Sequence, residues 1–327
     1  MFSGQRMRLS AFVLLVAMLT SCGGDPSKTD RACTDLAQVR CDKLASCTNG
    51  TGIDRAWGDI PACLVREKLS CAIELHAPGS GNNPVLIEKC IAALPTSSCA
   101  DFLDNKPPVE CVPVGSRAVG APCVFAGQCS TSYCAGAKVM ACGTCQQTPL
   151  PGRTCLISEC GRGQVCVQSV GLCWVLSEDG KGCGSVIPCR PGLSCVGDQD
   201  VTATCMPAVV TLGQPCGGTM AGCDPTLGLY CGGPVGSQTC MNIIPASDGM
   251  PCGAMPDGTF QGCSGAATCY LPEGAVGDQP GTCKAPAPDG ASCDTGIGPG
   301  CLPPARCMTG GKGSSGKCVV PSGDSCD

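Results

Sequence analysis

Apolar positions fall into three regimes along the chain. Leu9 to Leu19 is an apolar run broken by Ser10 alone, with Arg6 and Arg8 ahead of it. Such a run is too short to span a bilayer and suits the core of a signal peptide over residues 1–21. Residues 22–30 follow with the Gly, Pro, Ser and Asp content of a flexible tether. From residue 31 the spacing becomes helical: Cys33, Leu36, Ala37, Cys41, Leu44 and Cys47 share one face at 100° per residue, with Arg40 as the charged intruder. A second helix is predicted from Asp59-Ile-Pro61, an N-cap with proline in the first turn, through Cys63, Leu64, Cys71 and Leu75. A third starts at Asn83-Pro84 and carries Leu86, Cys90, Ile91 and Leu94. A short fourth follows Ser97, and Pro107-Pro108 ends the region. Residues 31–112 therefore read as an all-α bundle. Its eight cysteines, Cys33, Cys41, Cys47, Cys63, Cys71, Cys90, Cys99 and Cys111, suffice for four internal cystines.

Beyond Pro113 helical periodicity stops, Gly and Pro rise, and a repeat takes over. Gly stands three residues before Cys at Gly120/Cys123, Gly152/Cys155, Gly180/Cys183, Gly213/Cys216, Gly249/Cys252, Gly290/Cys293 and Gly323/Cys326. The first six open four-cysteine units. These are Cys123, Cys129, Cys134 and Cys145; Cys155, Cys160, Cys166 and Cys173; Cys183, Cys189, Cys195 and Cys205; Cys216, Cys223, Cys231 and Cys240; Cys252, Cys263, Cys269 and Cys283; and Cys293, Cys301, Cys307 and Cys318. The gap before the last cysteine varies most, as in Gly274 to Gly281, which marks a surface hairpin tip. Residues 113–327 thus read as six repeats plus a truncated seventh.

Composition explains why modules are needed. With 35 Cys among 327 residues, and aromatics at 3%, a large single apolar core gives way to covalent staples. The expected fold class is small disulfide-rich: an N-terminal all-α disulfide-braced bundle, then tandem cystine-stapled, loop-rich short β-hairpin modules. Loss of Arg6 and Arg8 with the signal takes the formal charge from −5 to about −7. Without a basic cluster to neutralise phosphates, nucleic acid is not an expected partner.

Two resemblances add to this. Leu19-Thr20-Ser21-Cys22 resembles the lipobox of bacterial lipoproteins. It implies a diacylglycerol on the Cys22 sulfur, cleavage before Cys22, and acylation of the new amino group, which makes membrane lipid the first expected partner. Several acyl chains hold a protein stably to a bilayer. Asp does not follow Cys22, and in bacteria that use Asp there for inner-membrane retention this implies an outer-membrane destination, at the periplasmic face or the cell surface. The Gly-x-x-Cys starts, the approaches Gly-Leu-Ser-Cys195 and Gly-Leu-Tyr-Cys231, and the closing Thr-Cys pairs look like the short repeats of EB-type and Dickkopf N-terminal cysteine-rich modules. Cysteine-rich lipoproteins of this make are familiar from myxobacteria. The resemblance implies binding of protein partners and brings no catalytic residues.

Motifs that suggest chemistry have plainer readings. Cys142-Gly-Thr-Cys145 has redox spacing but lacks a βαβ scaffold, and it lacks the second CxxC of a zinc site. His76 is the only histidine, which removes Ser-His-Asp and Cys-His catalysis if it stands apart from any nucleophile. Gly311-Lys-Gly-Ser-Ser-Gly316-Lys317 satisfies GxGxxG without a strand before it or a helix after it, and reads as a loop. Asp198-Gln-Asp200 is too sparse for a calcium loop. No catalytic, cofactor or metal site is therefore expected. The chain is expected to be a non-catalytic interaction or adhesion protein of the cell envelope that displays variable loops to a protein or glycan. A structural spacer or stalk is the second reading, and a protease inhibitor the third.

Four cysteines per unit leave Cys142 and Cys326 over. If the modules stack into a rod, these lie at opposite ends, beyond the roughly 7 Å Cα separation a cystine allows. Cys326 then pairs within the sixth unit or stays free, and Cys142 re-pairs in the first unit or remains a thiol. A Cys142–Cys326 bond would instead require the repeats to fold back into a closed array.

Overall fold

The computed structural model describes residues 28–137, 141–155, 160–167, 170–198, 203–272, 279–309 and 314–326. Cys22, Asp200 and Gly311 to Gly313 lie outside them, as does most of Gly274 to Gly281. Five α-helices come first: α1 (Lys28–Cys47), α2 (Thr51–Ala56), α3 (Ile60–Leu75), α4 (Pro84–Ala93) and α5 (Cys99–Leu103). α1 begins inside the stretch expected to be tether. The side chains of Asp59, Asn83 and Ser98 accept from the backbone N–H groups of Ala62, Leu86 and Asp101, capping α3, α4 and α5. α1 and α3 run antiparallel, and the bonds Cys33–Cys71 and Cys41–Cys63 join them at matched eight-residue intervals. Cys47–Cys99 ties the end of α1 to α5, and Cys90–Cys111 ties α4 to the segment beyond Pro107-Pro108. Arg40, the polar interruption of the apolar stripe, reaches Glu67 on α3 at 2.9 Å and keeps half its side chain in solvent.

Each of the six repeats is a disulfide-bonded hairpin. The third and fourth cysteines face each other across an antiparallel pair in every unit, from Cys134 opposite Cys145 to Cys307 opposite Cys318. They bond not to each other but backwards. The first cysteine joins the third and the second joins the fourth, as in Cys123–Cys134 with Cys129–Cys145 and Cys293–Cys307 with Cys301–Cys318. The same order holds in the four units between.

The opening glycine has a definite job. Gly120, Gly152, Gly180, Gly213, Gly249 and Gly290 take φ between 71° and 91°. Each donates its N–H to the carbonyl of the unit's fourth cysteine at 2.7–2.8 Å. The residue after it accepts back from that cysteine's N–H. Only a residue at ease in the left-handed region can make this turn without strain. Buried clusters inside the units are then mostly sulfur: Cys123, Cys129 and Cys145 form one, and Cys252 and Cys283 join Ala246 in another.

The repeats do not form a rod. Cys142 bonds Cys326 across 184 residues of sequence, so the first and last units meet. The expectation that these two cysteines stay apart is corrected, because the array bends around the helical bundle and all six units touch it. Gly81 donates to Gly127 O in the first unit at 2.8 Å, and Gly163 of the second donates to Asn105 O at 3.3 Å. Arg190 of the third meets Asp101 and Asp104 of the α5 region. In the fourth, the carbonyls of Thr226 and Pro225 accept from Thr51 and Arg55 of α2. Gly265 and Ala266 of the fifth donate to Asp54 O and Arg55 O, each at 2.7 Å. Arg66 of α3 holds the sixth.

Candidate functional site

The closed framework leaves two kinds of surface with chemical interest: the hairpin tips between third and fourth cysteines, and the cavities where units meet the bundle. The tips differ in length, shortest between Cys166 and Cys173 and longest between Cys269 and Cys283. They also differ in the apolar residues they present, with Val170, Val235 and Leu271 all exposed. In the first unit the same segment carries Cys142, which makes its tip a strut to Cys326.

The closure is well built. Gln128, fully buried, accepts from the N–H groups of Val124 and Phe125 and donates to Pro78 O and Gly323 O. Arg306 of the sixth unit donates to Ala137 O and Val124 O of the first and stacks its guanidinium over Phe125, 5.5 Å from the ring centre. A Cβ on Gly323 would fall 2.4 Å from the Cβ of Ala77. Gly323 is thus kept small by contact with the bundle, unlike the six turn glycines, which have open space where a Cβ would stand.

Arg66 and Arg190 are the other two anchors. Arg66 is buried, pairs with both oxygens of Asp289 at 2.8 and 3.0 Å, and donates to Leu302 O and Pro303 O. This partnership holds the Asp289 carboxyl below the usual carboxylate range. Arg190 bridges Asp104 at 2.5 Å and Asp101 at 2.7 Å. The Asp101 carboxyl is pulled down by hydrogen bonds from Ser98 and Arg190, whereas burial pushes that of Asp104 up against the pull of the same arginine. Sequence reasoning passed over both arginines. The available signal was position: Arg66 lies three residues after Cys63, on the cystine-bearing side of α3, where a charge demands a partner.

The motifs weighed for chemistry are placed as follows. Cys142 and Cys145 belong to different cystines, Cys142–Cys326 and Cys129–Cys145, and sit on or beside the strand Gly143–Cys145. Sulfurs gather closely in the units, as at Cys123, Cys129 and Cys145, but as bonded cystines they offer no thiolate. His76 is the exposed C-cap of α3. Asp198 O accepts from Ala203 N–H at 3.0 Å. The described part of the glycine-rich segment is not a free loop. Ser315–Val319 is a strand, and a Cβ on Gly316 would meet Met308 O at 2.3 Å. Ser314 and Ser315 donate their hydroxyls to Asp294, which also accepts from the N–H groups of Gly296 and Ile297, and these four donors hold its carboxyl far below the usual range.

A cavity of about 230 Å³ lies between α1, α3, α4 and the first two units. Arg40, Glu67, Glu74, Glu110 and Arg162 are its charged lining, and burial pushes the Glu74 carboxyl up. A second, of about 420 Å³, opens between α5 and the second, third and fourth units. Among the described residues no helix is long and apolar enough to cross a membrane. No family model, curated protein or solved structure matches the chain.

Proposed function

We propose that the protein is a lipid-anchored, non-catalytic interaction module of the bacterial cell envelope, held to the outer membrane through acylated Cys22 and binding a protein or glycan through the tips of its cystine repeats. One observation carries this reading: six units repeat one framework down to the Gly N–H to Cys carbonyl hydrogen bond, while the segments between their third and fourth cysteines differ in length and side chains. A scaffold repeated so closely beneath divergent loops suits display of those loops. The closed array supports display over a stalk, since a chain that folds back onto its own bundle gains little reach.

Two experiments test the parts separately. Cys22→Ala should leave an unprocessed or mislocalised precursor, and normal maturation with retained membrane attachment would sink the anchor. Replacing residues 271–280, ahead of the strand that begins at Gly281, with Gly-Ser sequence of equal length should leave the melting temperature nearly unchanged. The same exchange should remove crosslinks that intact cells form through that tip. Unchanged crosslinking after exchange of each tip in turn would refute display.

A further inference from the structure

A groove of about 610 Å³ separates the hairpin of the first unit from the linker into the second. That linker departs from the pattern of the array. In the other five units the lead-in segment pairs with the second cysteine: Arg117 with Cys129, Ser177 with Cys189, Val209 with Cys223, Ala246 with Cys263, and Ala287 with Cys301. Pro149 stands before Cys155 as Ser177 stands before Cys183, and it has no N–H to give to such a pairing. Its carbonyl instead accepts from Gln164 Nε2 at 3.0 Å. Further back, Gln146 donates its N–H to Tyr133 O and accepts from the Thr131 hydroxyl at its own carbonyl. The linker backbone is thus held from both units. The side chains of Gln146, Gln147 and Arg153 are exposed on the groove and make no hydrogen bond or ion pair among the described residues. Charge sets the groove apart as well. Residues 111–158 contain no Asp or Glu, in a chain of net charge −5, and hold Arg117, Lys138 and Arg153. Arg117 donates to Pro78 O and Pro122 O, whereas Arg153 lines the groove with no carboxylate among the lining residues.

We infer that this groove binds a carboxylated saccharide, with Arg153 pairing with the carboxylate and the amides of Gln146 and Gln147 and the hydroxyls of Thr144 and Thr154 meeting the ring hydroxyls. Hydroxyls and primary amides both donate and accept, as the hydroxyls of a sugar do. A guanidinium without a protein partner offers a carboxylate two parallel N–H bonds. The acid-free stretch makes this junction locally attractive to an anion in a chain of negative net charge. Tyr133, also in the lining, brings an aromatic body to the apolar face of a sugar ring. The volume lies within the roughly 300–1,000 Å³ of small-ligand sites, and a linker already fixed from both sides loses little freedom on binding. An acidic peptide would bring the carboxylate without the array of hydroxyls, and it enters the test as the alternative. The inference stands on this one junction and is independent of the anchor and of what the other hairpin tips bind.

The test is calorimetric titration of the disulfide-bonded chain from residue 23 with two acidic saccharides, digalacturonate and sialyllactose. Their neutral counterparts, digalacturonate dimethyl ester and lactose, and the peptide N-acetyl-Ala-Glu-Ala-amide are titrated beside them. At least one acidic saccharide should bind at one site, about tenfold or more tightly than its neutral counterpart, through the charge-assisted bonds of Arg153. Arg153→Gln should bring that saccharide down to the affinity of the neutral one. The Arg153 side chain is exposed, so this variant should keep native circular dichroism. The double variant Gln146→Ala/Gln147→Ala leaves the charge in place and should weaken the same saccharide severalfold. Failure of both acidic saccharides to bind, equal binding of the neutral counterparts or of the peptide, or an affinity that either variant leaves unchanged would overturn the inference.

Discussion

Gly213 has φ 78° and nothing within 4 Å of where a Cβ would stand. The cost of a side chain there is backbone strain alone, about 1–2 kcal/mol for a non-glycine residue in the left-handed region. Gly213→Ala should therefore lower stability by about that amount in denaturant unfolding, with the fold intact. Position three before the third cysteine tells the complementary story. Gly163, Gly192 and Gly228 take positive φ there, and in the fifth unit Ala266 takes φ 61° in the same place. Ala266→Gly should raise stability by about 0.5–1 kcal/mol, because relief of strain exceeds the extra freedom of the unfolded chain. A loss of stability in thermal melts would show that the Ala266 methyl is packed against α2 more tightly than its strained φ suggests. The recurrence of Gly-x-x-Cys was legible in the sequence. Its two physical causes were not, since a turn glycine such as Gly213 and a contact glycine such as Gly323 are spelled alike.

Helices and hairpins differ in how much of them the sequence displays. Asp59-Ile-Pro61 and Asn83-Pro84 announce their helices because an N-cap is a local hydrogen bond, and the structure shows both. α2 escaped notice because six residues carry too little periodicity, and it is held by burial of Ile53 against Cys41 and Cys63. The anchors between elements were also hidden, and Arg66 with Asp289 is the one to probe. Asp289→Asn removes one charge of the pair but leaves Arg66 its two carbonyl acceptors. With the Asp289 side chain 39% exposed, solvent screens the pair. The expected loss at neutral pH is about 1 kcal/mol. Its pH dependence has a fixed sign. The folded carboxyl titrates below its unfolded value, so its contribution is complete above the ordinary Asp value near 3.9 and disappears as pH falls through the lowered folded value. Unfolding free energies of the two proteins should differ by a constant amount from pH 7 to about pH 5 and converge toward pH 2. A gap that persists at pH 2 would mean that Asp289 acts through shape instead of charge.

At the scale of the whole molecule, the pairing of Cys142 with Cys326 decides between a rod and a closed array. Parity singled these two cysteines out, yet no sequence spacing says that the last unit returns to the first. That return depends on contacts such as Arg306 over Phe125 and Gly323 against Ala77, between residues far apart in the chain. The closing bond spans 184 residues. A loop of that length is worth about 5 kcal/mol in the chain-entropy picture. The two-cystine units inside the span already shorten the unfolded path, but the dependence on length is logarithmic, so the value falls only to about 4 kcal/mol. The double variant Cys142→Ser/Cys326→Ser should therefore unfold at clearly lower denaturant, with a slope at least as steep because its denatured chain is less constrained. The other cystines remain in place, so the variant should keep native circular dichroism. The same pairing makes a second, independent measurement available. The 17 cystines account for every cysteine except Cys22, so if Cys22 is acylated as proposed, the denatured, unreduced protein should show no free thiol. Two titratable thiols in the wild type, together with unchanged stability of the double variant, would open the array and restore the rod.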